Sequence, residues 1–64
     1  MAYKIWEYEA GHWWGQMTVD SAAEAIEAAE AIQARGFGAA FIQPIQGSER
    51  IPLSEFMERM SDEA

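Results

Sequence analysis

Sixty-four residues without a single cysteine define one domain near the lower size limit for unaided folding, with neither a disulfide framework nor a thiolate metal site to help it. Eleven Asp and Glu against four Lys and Arg give a formal net charge of -7, which repels phosphate backbones and anionic lipid. Direct nucleic-acid binding and attachment to a membrane surface are therefore not expected, and a charged partner is expected to be basic.

Half of the residues are apolar, and three Trp, three Phe, two Tyr and four Met provide bulk for a core. A homodimer is one way to enlarge it. No stretch approaches the length of a membrane span, and the opening "MAYKIWEYEAGHWW" has no apolar run of the signal-peptide kind. With cysteine absent, a cytoplasmic location is the expectation.

Along the chain, "YKIWEYE" (Tyr3 to Glu9) is rich in aromatic and β-branched residues and predicts a strand. The turn signal "AGH" follows, and "WWGQMTV" (Trp13 to Val19) predicts an antiparallel partner strand. Simple alternation puts Trp13, Gly15, Met17 and Val19 on one face of it, with Gly15 as a candidate bulge. Trp13 and Trp14 then point to opposite faces. One enters the core; the other is covered by the terminal helix or a dimer mate, or anchors an interface, a role in which Trp is enriched. Trp6 and Tyr8 share a face and extend such a patch.

"DSAAEAIEAAEAIQARG" (Asp20 to Gly36) predicts the main helix. Ser21 and Glu24 form a capping box, alanine fills the interior, and Gly36 supplies the left-handed stop. At about 100° per residue, Ala22, Ala25, Ile26, Ala29 and Ile32 form the buried stripe, and Glu24, Glu27 and Glu30 project from the opposite arc. "GAAFIQPIQ" (Gly38 to Gln46) predicts a third strand in which Pro44 requires an edge or a bulge. "GSER" is a turn, "RIPL" a short fourth strand, and Ser54 caps a short helix, "EFMERM", that folds Phe56, Met57 and Met60 onto the core, with "SDEA" frayed. The expectation is a single α+β domain over residues 1–64: a three- or four-stranded antiparallel sheet, one main helix across a face, in the order β-β-α-β-β-α.

Chemical signatures are sparse. Glu9-x-x-His12 supplies two metal ligands at most, too few for a site, and His12 is the only histidine. The serines fall in cap or turn contexts. Gly36-Phe37-Gly38 follows a helix rather than opening one, so it offers carbonyls where a phosphate needs amides. No enzyme activity, cofactor or metal is expected.

The charge pattern is the most informative feature. Glu24/Glu27 and Glu27/Glu30 are like-charge pairs costing a few tenths of a kcal/mol each. Arg35 is the sole basic residue between Lys4 and Arg50. Successive glutamates three apart rise about 4.5 Å along the axis, against roughly 3.4 Å between phosphates on a DNA strand. Asp20, Glu24, Glu27 and Glu30 thus form a ridge able to stand in for a phosphate backbone, with Trp13 and Trp14 as further partner-binding candidates.

On the acidic helix "SAAEAIEAAE" and the β-β-α-β-β layout around it, this short, cysteine-free chain resembles the phage-encoded anti-CRISPR proteins, some of which are DNA mimics. The resemblance implies a non-catalytic, stoichiometric inhibitor in a bacterial host cytoplasm. Its partner would be a basic nucleic-acid-binding protein such as a CRISPR effector complex. The alternative is a structural or regulatory module that self-associates through its sheet or aromatic patch, the acidic face serving only solubility.

Overall fold

The computed structural model describes residues 2–36 and 38–63, for the last three of which only the backbone is described. Six elements follow one another: β1 (Tyr3–Glu9), β2 (His12–Val19), α1 (Ala22–Ala34), β3 (Ala39–Pro44), β4 (Ile51–Pro52) and α2 (Leu53–Glu63). The strands form one antiparallel sheet in the order β2-β1-β3-β4. This is the expected α+β class with all four strands present.

The hairpin joining β1 to β2 turns on Ala10 and Gly11, both at positive φ (51° and 82°), which lets a two-residue loop match the sheet twist. Glu9 and His12 close it as cross-strand partners. Further along, Ile5 faces Met17 while Trp6 faces Gly15, so Gln16 is an extra residue on β2. This bulge corrects the alternation expected for β2. Met17 and Val19 lie on the helix-covered face beside Ile5 and Tyr3, whereas Trp13 and Gly15 fall on the opposite face with Tyr8 and Trp6.

α1 begins as expected. Ser21 is the N-cap, its Oγ accepting from the Glu24 amide at 3.2 Å, and Gly36 follows at φ 76°. The helix lies over β1 and β3, and α2 packs beside it over β3 and β4, so both helices cover the same face of the sheet. The core between the two layers consists of Ile5, Ala25, Ala29, Ile32, Ala40, Ile42, Ile51, Leu53 and Phe56. Alanine on α1 permits a close helix–sheet approach. The buried arc is turned toward Ile32, leaving Ala22 and Ile26 only partly buried at the margin.

Pro44 ends β3. The Ile45 amide donates to Ala2 O at 3.1 Å, so the pleat directs the Pro44 nitrogen away from β1, to the side that β4, paired only to Phe41 and Ile42, does not reach. α2 starts at Leu53 rather than after a Ser54 cap, because burying Leu53 and Phe56 on one face recruits the residues next to Pro52 into the first turn. Met60 folds back as expected, Met57 is exposed, and the helix continues through Glu63 into the segment expected to fray. Phe37 of the Gly-Phe-Gly segment and Ala64 lie outside the described residues.

Candidate functional site

The sequence-predicted ridge is presented to solvent. Asp20, Glu24, Glu27 and Glu30 are all exposed. The Ser21 hydroxyl donates to Glu24 Oε1 at 3.1 Å, so Glu24 closes its capping interaction on the hydroxyl. Each three-residue step turns the helix by about 300°. The row therefore winds from the β2 side at Glu24, over the top at Glu27, toward the α2 side at Glu30.

The four basic residues of the chain are committed elsewhere. Arg35 Nη2 lies 3.4 Å from Glu7 Oε1, and Arg59 reaches Glu49 at 3.4 Å and Glu55 at 3.0 Å. These two carboxylates, Glu55 first through its hydrogen bond, raise the Arg59 pKa further above its ordinary value. Lys4 Nζ stands 4.4 Å from the Trp6 ring centroid, and the Arg50 guanidinium stands 4.2 Å from Trp6 and 4.5 Å from Trp13. Among the described residues, Glu24, Glu27 and Glu30 have no ion-pair partner.

Beside the ridge runs a groove. Because α1 covers β1 and β3, edge strand β2 projects beyond it, and Met17 is 47% exposed on the helix side. Two adjoining open hollows of about 230 and 290 Å³ fill the step between β2 and α1. Met17, Ala28 and Ala31 are common to both; Glu24 and Glu27 stand at one end and Arg35 with Gln16 at the other. The floor is apolar and the rim at the α1 N-terminal end is acidic.

Among the described residues, the other face of the sheet carries no helix. Trp13 packs there against Tyr8 (centroids 4.8 Å), Phe41 (4.9 Å) and Trp6 (6.3 Å), with Lys4 and Arg50 over the rings. Trp6 Nε1 donates to Gln43 Oε1 at 2.8 Å, and Gln43 Nε2 donates to Gly47 O at 2.9 Å. The aromatic patch is thus a small second cluster roofed by its own cations. α2 does not cover it, contrary to one of the expectations for the exposed Trp. Nothing in local composition announces this arrangement, since Lys4 and Arg50 reach the same ring from opposite ends of the chain.

Trp13 and Trp14 do occupy opposite faces, but neither enters the core. Both are exposed, because the narrow layer under α1 is filled by Ile5, Ile32 and Ile42 and does not reach edge strand β2. The structure separates Trp13 from the acidic ridge by the thickness of the sheet. Trp14 is 52% exposed on the helix side, opposite Glu7 and beside His12 at 6.1 Å. Glu7 is the one buried charged side chain among the described residues, 7% exposed. It accepts from Gln16 Nε2 at 2.7 Å and from Arg35 Nη2, tying β1 to the bulge and to the end of α1. Sequence reasoning missed it because a Glu within an alternating strand reads as solvent-facing. The later Arg35 and Gln16 were the signal for its partners.

Among the described residues no three His, Cys, Asp or Glu gather in a way that could hold a metal ion, and no helix is long and apolar enough to cross a membrane. Fold and surface together define a small α+β domain with a two-helix layer on one side of its sheet, an acidic ridge and an open strand edge. Comparison with protein-family models, curated proteins and solved structures finds no match to this chain.

Proposed function

We propose that this chain is a non-catalytic protein-binding inhibitor that sets the carboxylates of α1 into the basic, nucleic-acid-binding surface of a partner protein and so denies that surface to nucleic acid. The observation that carries this reading is the commitment of Lys4, Arg35, Arg50 and Arg59 to other groups, which leaves Glu24, Glu27 and Glu30 exposed and without a countercharge among the described residues. A face meant only to keep the chain soluble gains nothing from like charges in one row, which cost helix stability. A row that substitutes for phosphates gains charge-assisted hydrogen bonds to Lys and Arg and a faster, steered encounter. Asp20 extends the row at its start. The resemblance to anti-CRISPR inhibitors names one such partner, a CRISPR effector complex in a bacterial cytoplasm.

Self-association is the second reading, favoured by the open edge of β2, whose eight residues include no Asp, Glu, Lys or Arg. The two are separated by measuring the affinity of the wild type and of the Glu24→Gln, Glu27→Gln, Glu30→Gln triple variant for a CRISPR effector complex, at about 0.05 M and about 0.5 M salt. Weaker, salt-insensitive binding by the variant supports the inhibitor reading. Equal affinities at both salts overturn it.

A further inference from the structure

The edge of β2 and the groove beside it belong to one surface. We infer that β2 accepts an extended segment of the basic partner by strand addition, with the segment's Lys or Arg side chains lying in the Met17–Ala28–Ala31 groove and its intervening apolar side chains on the other face. This rests on the reading above that the partner is basic, and specifies how it docks.

The first support is the backbone. In a two-residue hairpin, Glu9 and His12 form the hydrogen-bonded closing pair, so the alternate partners Tyr8/Trp13 and Trp6/Gly15 direct the N–H and C=O groups of Trp13 and Gly15 away from β1. Among the described residues nothing pairs with that edge, since the strand order ends at β2. Edge strands are ordinarily protected by lysine, proline or an inward charge, and β2 (HWWGQMTV) has none of these. Its one irregularity, the Gln16 bulge, leaves the segment from His12 to Gly15 regular.

The second support is charge and shape. A strand added at β2 points alternate side chains into the space beside α1. That space has an apolar floor at Met17, Ala28 and Ala31, the carboxylates of Glu24 and Glu27 on its rim beside Val19, and Arg35 at its other end beside Gln16. The segment's Lys or Arg therefore falls at the Val19 end, past the residues paired along His12 to Gly15. A Lys or Arg suits both, laying its aliphatic stem on the floor and carrying its charge to the rim. An acidic or wholly apolar segment leaves the rim uncompensated. A second copy of β2 brings no Lys or Arg to the groove, which is why a segment carrying Lys or Arg is the occupant. On the opposite face the intervening residues meet the margin of the Trp13 cluster.

The test uses a peptide of alternating valine and lysine, as long as β2, and a matched peptide N-methylated at alternate residues, which keeps the charge but cannot pair with an edge. The expected result is binding by the first peptide with slowed hydrogen exchange at the Trp13 and Gly15 amides, and affinity about tenfold or more lower for the methylated one. The Gly15→Pro variant removes an outward donor and keeps the β1 backbone ladder, at the cost of moving the Lys4 side chain, whose Cε would stand 3.2 Å from the added Cβ, and should lose binding likewise. Equal affinity for both peptides overturns strand addition even if the Glu24→Gln, Glu27→Gln double variant binds neither; in that case the acidic-ridge reading survives alone. Loss on methylation with indifference to the double variant retains strand addition and overturns the charge reading. A wild type that sediments as a dimer with those two amides already protected assigns the edge to a second copy and overturns the proposal.

Discussion

Replacing Glu27 by Gln should stabilise the fold while weakening its function. Glu27 lies between Glu24 and Glu30, three residues from each, and all three side chains are exposed with no ion-pair partner among the described residues. Each like-charge pair costs about 0.2–0.5 kcal/mol, so removing the middle charge relieves two of them, about 0.4–1 kcal/mol. The capping interaction is untouched, because it belongs to Ser21 and Glu24. Glu27 lies beyond the first turn, where the helix dipole no longer rewards a negative charge, and Gln matches Glu in helix propensity. For a domain of this size the gain corresponds to a rise in Tm of about 2–8 °C. Thermal melts at about 0.05 M and about 0.5 M salt should show the gain shrinking as salt screens the repulsion. A loss of stability of similar size at low salt would refute the reasoning, since Glu27 would then have a stabilising partner that the geometry does not supply.

In the core, Ile32→Ala should cost about 2–5 kcal/mol and Ile26→Ala clearly less, because Ile32 is buried while Ile26 sits at the margin; urea denaturation of both decides the order. Trp13→Ala removes the centre of the aromatic cluster and should cost about 2–4 kcal/mol, whereas Trp14→Ala should stay within about 0.5 kcal/mol; equal losses in parallel melts would contradict the assignment of faces. Glu7→Ala leaves Gln16 and Arg35 without their acceptor and should cost about 1–3 kcal/mol; amide exchange across the Gln16 bulge should speed up with it, and an unchanged exchange pattern would leave Glu7 with no structural role.

Much of this fold is legible in the chain, for identifiable reasons. Strand β1 has its aromatic and β-branched residues in an unbroken run, and α1 carries both its start signal at Ser21 and its stop at Gly36. The faces of β2 are not legible, because one inserted residue, Gln16, reverses the side on which everything before it projects. The start of α2 depends on the tertiary burial of Leu53, which local capping preference does not anticipate. Of the candidate site, the exposure of Asp20, Glu24, Glu27 and Glu30 follows from helical periodicity alone. The groove at Met17 arises from the lateral placement of α1 over β1 and β3, a consequence of where the core side chains fit. The roof of Lys4 and Arg50 over Trp6 joins the two ends of the chain, and only the sheet brings them together.

The central claim, that the carboxylates of α1 take the place of phosphates on a partner, is tested most directly by competition. Labelled duplex DNA is bound to a CRISPR effector complex, and its displacement is followed as the wild-type chain or the triple Gln variant is added at low salt. The account predicts that the wild type displaces DNA competitively, with no complex containing both, and that the triple Gln variant requires at least about tenfold more protein to do so. A ternary complex of effector, DNA and wild-type chain, or equal displacement by the two proteins, would contradict it.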